Sequence, residues 1–482
     1  MSTGWSAPRP DVLLLMPDQF RGDAMSGVGH RVVKTPTLDA LAAEGALFRR
    51  AYSTTPSCIP ARHALLTGQF PQTSGMVGYK LRPLSVPTLP ALLAKSGYAT
   101  VLVGRNMHQA PESGTLGYER QFLGSTYISD DLYDAELKKA APDSGGIRAI
   151  INRLAVDTNR WPAKAWPLAE ELHPTNWVVQ RSREVLAETP LEKPIFLTAS
   201  FYAPHPPLFP PARLFEKYLN AKLPPTAMGD WVEQAKLSPK GDKAGQRILL
   251  EGDTLRRAQA GYFGLIEHLD EQIAVLIAAF KARSERAGRP WLIVVTTDHG
   301  EMLGDHGYFR KCEPYEGSAN IPLIVAGAPA LGFAKGVRSF SPAALEDVMP
   351  TVLALAGVPR PEKTDGRDLA PVLRKEKGAQ VREWLHFEHA PIYNPDVGFQ
   401  ALTDGRWKYI WRTQSGREQL FDLETDPQEL CDLAATPEHR GALDKWRATM
   451  IERLKARPEG FVKDGKLVAG QRYVALQGDL KS

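Results

Sequence analysis

An α/β fold follows from three features of the chain: a large, mixed but mostly parallel sheet sandwiched by helices, with a smaller C-terminal domain of antiparallel sheet. Solid apolar runs stop at polar residues, helical periodicity fills the stretches between them, and after about residue 383 the pattern changes to short β-type runs with turn dipeptides. Val12 to Met16 is the first apolar run. It ends at Pro17-Asp18-Gln19, as a strand covered on both faces does, and leaves Asp18 just past a strand's carboxyl end. Thr37 to Ala46 and Thr88 to Ser96 have helical spacing, closed by Gly45 and Gly97, and Ala99 to Val103 is the next strand. Thr175 to Ala187 reads as a helix, Pro194 to Ser200 as a strand, and Ala203-Pro204-His205-Pro206-Pro207 as a loop. Thr254 to Arg286 is one long amphipathic helix, and Trp291 to Thr296 is an apolar strand ending at Asp298-His299-Gly300. Ligands of open α/β sheets bind outside the carboxyl ends of the strands, so the segments of Asp18, His205 and Asp298 are expected on one edge.

Residues 124–174 are irregular and mixed in charge, which predicts an insertion near the site rather than a part of the core. A polar linker over 359–380 is expected to separate a catalytic domain, 1–380, from a C-terminal subdomain and tail, 381–482. There Trp384 to His389, Phe399 to Thr403, Trp407 to Trp411 and Gln419 to Asp422 read as strands, with turns at Asp404-Gly405 and Ser415-Gly416.

The 482 residues include 59 basic and 55 acidic side chains, a net charge of +4, which argues against a nucleic-acid partner and suits a small anionic ester only weakly. No apolar run is long enough to span a membrane, and Met1 to Pro10 lacks the core of a secretory signal, so a cytoplasmic protein without a membrane partner is expected. Cys58, Cys312 and Cys431 are the only cysteines, which excludes a disulfide framework and fits a reducing compartment. A homo-oligomer is left open.

Cys58-Ile59-Pro60-Ala61-Arg62 holds a thiol at a predicted helix mouth. Pro60 suits a first helical turn, Gly68 can close the helix, and Arg62, four residues on, shares the face of Cys58. The same residues would equally serve an inert buried thiol. Asp18, Gln19, Asp298 and His299 are two pairs far apart in sequence, each where a strand runs out; two carboxylates, an amide oxygen and an imidazole suit a divalent cation.

The Cys58 stretch resembles the sulfatase sequence whose cysteine a separate formylglycine-generating enzyme converts to formylglycine. Further segments are similar to the same family: the region of His108, the loop of His205, Lys311 after the Asp-His-Gly block, Tyr315 to Pro322, Trp407-Lys408-Tyr409-Ile410, and Leu420 to Pro427. The resemblance implies an alkaline phosphatase-like fold and hydrolysis of sulfate monoesters, through a metal-bound formylglycine diol at residue 58 and a covalent sulfo-enzyme intermediate. It also implies one divalent ion, calcium first and manganese or another transition metal second, held by Asp18, Gln19, residue 58, Asp298 and His299. His205 and Lys311 would protonate the leaving group, Arg62 and Arg105 would hold the ester oxygens, and His108 would act as base. Two departures stand out. Gln19 and His299 replace the aspartate and asparagine of many members and are similar to phosphonate monoester hydrolases, while Arg105 replaces the family lysine with one extra residue before His108. A phosphonate or phosphodiester hydrolase and a metal-binding relative without turnover are the alternative readings.

Overall fold

Side-chain alternation along one central strand decides which helices cover which face. In the computed structural model, which describes residues 9–84, 86–111, 113–124, 130–242, 246–392 and 394–481, that strand is β1, Asp11–Asp18. Leu13 and Leu15 face a core with the helices Pro36–Glu44, Pro174–Glu188 and Gly252–Arg286; Val12, Leu14 and Met16 face another with Cys58–Thr67, Leu89–Lys95 and Val348–Leu355. Both faces are covered, which is why the strand is apolar throughout.

The other strands of this sheet are β2 (Ala46–Phe48), β3 (Ala99–Gly104), β4 (Arg120–Leu123), β5 (Ile195–Pro204), β6 (Trp291–Thr296), β7 (Leu323–Gly327) and β8 (Val337–Ser339). Among the described residues the eight lie in the order β4-β3-β5-β1-β6-β7-β2-β8. Only β7 runs against its neighbours β6 and β2; the remaining pairs are parallel. The register between β1 and β5 slips between Met16 and Asp18, an irregularity of the kind that re-aims a strand's last side chain.

A second sheet, β9 (Leu385–His389), β10 (Phe399–Thr403), β11 (Trp407–Arg412) and β12 (Glu418–Asp422), is an antiparallel meander. Phe387, Ala401, Ile410 and Phe421 pack with Tyr52, Met302 and Tyr315 of the large domain, and Leu402, Tyr409, Trp411 and Leu420 pack on the helix Arg440–Leu454. This sheet therefore has two buried faces and leans on the loops that carry the site.

Three expectations need correction. The 124–174 segment is not irregular: it forms the helices Leu132–Ala140 and Ile147–Leu154 with a small core of Tyr133, Leu137, Ile147, Ile150, Ile151 and Trp166, because Ile147, Ile150 and Ile151 share one helical face. Within that segment, 125–129 lie outside the described residues, as do residues 1–8 of the Met1–Pro10 stretch. Among the described residues its later part nears the site loops, through Trp161 against Phe309 and a bridge from Ala163 to Leu208. The 359–380 stretch is no free linker, since Leu369 and Leu373 are buried in the core beneath the sheet. Finally, β5 continues to Pro204 and takes in the start of the predicted loop. None of the helices among the described residues is long and apolar enough to cross a membrane.

Candidate active site

β1 delivers Asp18 as its last residue, and the next residue, Gln19, turns the chain through a positive φ of 65°. The Gln19 backbone N–H donates to Asp298 Oδ1 at 3.1 Å, which ties the end of β1 to the loop after β6. Its side-chain amide donates to Glu301, so its Oε1 is turned toward Lys311 Nζ, 3.2 Å away. Glu301 is itself fixed by the backbone N–H groups of Leu303 and Arg310, at 2.7 and 2.6 Å.

The helix Cys58–Thr67 begins at Ser57 and ends at Gly68, whose φ of 65° only glycine adopts at no steric cost. Cys58 Sγ meets Lys311 Nζ at 2.9 Å and His299 Nε2 at 3.2 Å. Burial raises the thiol pKa, but Lys311, His299 and Arg105 outweigh it and hold the group at about 5. The His299 Nδ1–H donates to the Gly300 carbonyl at 2.9 Å, which aims Nε2 at residue 58, and Asp298 and Cys58 raise the pKa of the ring against burial.

Ligand atoms of Asp18, Cys58, Asp298 and His299 lie within 4.8 Å of one another, and all four residues are buried. Asp18 Oδ1 has no hydrogen-bond partner among the described residues. A bare carboxylate oxygen in the interior is the vacancy a cation would satisfy, so the residues present fit a divalent ion. Burial disfavours the charge on Asp18 and Asp298, yet Arg105, Arg62 and His299 keep both carboxyls below their ordinary range.

Arg62 does not face open space. Its Nε donates to Asp298 Oδ2 at 2.9 Å and one terminal nitrogen to Asp18 Oδ2 at 2.7 Å, while the other terminal nitrogen reaches the Asn106 carbonyl and Ser200 Oγ, both at 3.2 Å. Arg105 also pairs with Asp18 Oδ2, at 2.6 Å, and stacks on the Tyr202 ring at 4.7 Å. In this geometry both arginines orient the carboxylates.

His205 Nδ1 bonds the Pro206 carbonyl at 2.7 Å, and its Nε2 lies 3.3 Å from Lys311 Nζ. Burial and then Lys311 push the His205 pKa well down, whereas Cys58 and Asp18 overcome burial and raise that of Lys311. His108 stands apart: it has a positive φ of 56° and makes no hydrogen bond to residue 58, and its buried Nε2 has no partner among the described residues. Burial, Arg105 and Arg62 keep it neutral. Of the ten residues expected at the site, the structure thus joins nine in one contact network and sets His108 at its border. Sequence reasoning gave no role to Glu301, although it follows the Asp-His-Gly block, and nothing in the sequence pointed to Tyr202 or Ser200.

Residues 10–358 match the family profile described as Sulfatase, and residues 304–456 match one described as N-sulphoglucosamine sulphohydrolase, C-terminal. An arylsulfatase of Clostridium perfringens is 34% identical over 485 residues, covering 97% of this chain and 99% of that protein. A choline-sulfatase of Rhizobium meliloti is 30% identical over 483 residues, covering 95% of this chain and 87% of that one. Among solved structures, the phosphonate monoester hydrolase of Agrobacterium radiobacter superposes with a TM-score of 0.79 at 25% identity, over 93% of this chain and 96% of the other. The chain belongs to the sulfatase family of the alkaline phosphatase superfamily and is a sulfuric ester hydrolase.

Proposed function

We propose that this enzyme hydrolyses sulfate monoesters of the aryl type, with formylglycine made from Cys58 as nucleophile. The observation that carries the reading is the position of Cys58 Sγ, at once in the carboxylate–imidazole cluster and 2.9 Å from Lys311 Nζ. The partners of the reaction are a small anionic ester and, earlier, a formylglycine-generating enzyme. Because Cys58 is 1% exposed, that enzyme acts before the helix packs into the core.

Asp18, Asp298 and His299, with the Gln19 amide oxygen and residue 58, would hold one divalent cation, calcium before manganese because oxygen donors predominate. When bound it neutralises charge on the ester oxygens and makes the hydroxyl of residue 58 more acidic. The protein groups do the rest. One hydroxyl of the hydrated formylglycine gives up its proton to solvent water and its oxygen forms a bond to sulfur while the sulfur–oxygen bond to the alcohol breaks. The proton shared by Lys311 and His205 across 3.3 Å goes to the departing oxygen. His108, kept neutral, takes the proton of the second hydroxyl. The carbon–oxygen bond to the sulfo group then breaks, sulfate leaves, and the aldehyde returns and is rehydrated. Arg62 and Arg105 keep the carboxylates ionised and oriented throughout, and the N–H groups of the helix mouth favour the anion.

A second reading, hydrolysis of phosphonate monoesters or phosphodiesters, is favoured by Gln19 and His299 and by the likeness to the Agrobacterium enzyme. Steady-state rates of the matured enzyme on matched nitrophenyl sulfate, phenylphosphonate and phosphodiester substrates decide between the two. The sulfate is expected to be the best substrate, and a phosphonate preference of several orders of magnitude would replace the first reading by the second.

A further inference from the structure

A serine at a helix N-cap ordinarily turns its oxygen onto the N–H of the second or third helical residue. Ser57 makes no such bond, although its backbone is in the extended N-cap conformation. The third helical residue is Pro60, which has no N–H, so half of the usual reason for a capping serine is missing. The hydroxyl goes to the other domain instead: Ser57 Oγ lies 2.8 Å from Nε2 of His389, the last residue of β9. His389 Nδ1 lies 2.6 Å from the Ala390 carbonyl, an acceptor only, so Nδ1 carries the proton, Nε2 accepts, and Ser57 donates. Both residues are buried.

The neighbouring backbone is tied the same way. Glu388 N–H donates to the Thr54 carbonyl at 2.9 Å, and Ala390 N–H to the Val77 carbonyl at 2.6 Å. The Pro56 carbonyl accepts from Cys312 N–H at 2.9 Å, which anchors the residue next to Lys311. The turn before the nucleophile is thereby gripped between the end of β9 and the lysine loop, and the Ser57–His389 bond is the side-chain contact in that grip that lies directly beside residue 58.

We propose that His389 is a positioning residue for catalysis: through the Ser57 hydroxyl, the C-terminal sheet sets the angle at which the helix presents residue 58 to sulfur. The inference rests on residue 58 being the nucleophile. A nucleophile out of line costs turnover rather than substrate affinity, because binding of the ester oxygens is left intact.

The test measures kcat and KM on an aryl sulfate for the wild type, Ser57→Ala, His389→Ala, His389→Gln and the double alanine variant, each normalised to the formylglycine content of the residue 58 peptide. Both alanine variants are expected to lose about 10- to 100-fold in kcat with KM changed less than about threefold, and the double variant to be no worse than either. Glutamine, whose side-chain oxygen can stand near the place of Nε2 and does not titrate, is expected to restore most of the loss. Multiplicative losses, losses in KM, unchanged kcat, or failure of glutamine to rescue a folded protein would overturn the proposal. An inactive wild type with full formylglycine content would instead overturn the functional reading on which it rests, and with it the proposal.

Discussion

Replacing Arg62 by methionine keeps the aliphatic stem and removes the fork, so the effect isolates the charge. Arg62 is fully buried and bonded to Asp298 at 2.9 Å and Asp18 at 2.7 Å, and Asp298 has no other arginine or lysine ion pair among the described residues. Removing one partner of a buried ion pair typically costs about 3–5 kcal/mol, because the charge left behind is uncompensated. For cooperative unfolding of a chain this size, with an unfolding entropy of about 1 kcal/mol/K, that becomes a fall of roughly 3–5 °C in Tm. The assay is thermal unfolding of metal-free wild type and Arg62→Met, repeated with calcium or manganese in excess. Added cation is expected to raise the Tm of the variant more than that of the wild type, since two carboxylates that have lost the guanidinium gain more from a new counter-charge. A loss below about 1 kcal/mol without metal, or equal shifts with it, would refute the assignment of Arg62 as counter-charge to an ionised cation site.

Three further outcomes follow from other contacts. Lys311→Met is expected to lower kcat/KM by about 10²- to 10⁴-fold on alkyl sulfates and much less on nitrophenyl sulfate, whose leaving group needs no proton; a uniform loss across leaving groups would contradict its role as acid. His268, buried and with neither ring nitrogen hydrogen-bonded among the described residues, has its pKa lowered to about 3 by burial and Arg213; Glu170 lies 3.6 Å away but its charge is taken up by Arg213. The folded state therefore keeps it neutral while the unfolded chain takes up a proton below its ordinary 6.5. Its share of stability is complete above that pH and is lost as pH falls toward 3, up to roughly 5 kcal/mol. Urea midpoints of His268→Leu should decline less steeply with acid than those of the wild type, and equal slopes would contradict this. Gly104 has a φ of 100° and an added Cβ would lie 2.0 Å from the Ser200 carbonyl oxygen, so Gly104→Ala is expected to cost about 2–4 kcal/mol by urea unfolding; a cost under about 0.5 kcal/mol would contradict the geometry.

The strand ends were legible because burial on both faces leaves an unbroken apolar run, and the first polar residues after Met16 and Thr296 are then conspicuous. The helix that carries Cys58 was legible from local chemistry, Pro60 near its start and Gly68 past its end. What Arg62 touches was not. Helical spacing put it on the face of Cys58, but its acceptors come from a strand end and a loop, 44 and 236 residues away, and nothing local distinguishes a guanidinium facing substrate from one facing two carboxylates. The same limit hid the Ser57–His389 bond, 332 residues apart, and the stacking of Arg105 on Tyr202. The helices of the 124–174 segment were missed because charged residues dominate their exposed faces, and Leu369 and Leu373 were masked by polar neighbours although the core claims them.

Mass analysis of the peptide spanning residue 58, set against the turnover of the same preparation on an aryl sulfate, tests the nucleophile most directly. The account predicts an aldehyde at residue 58 in protein from a host with the maturation enzyme, and activity proportional to the converted fraction. An unmodified thiol in fully active protein would contradict it.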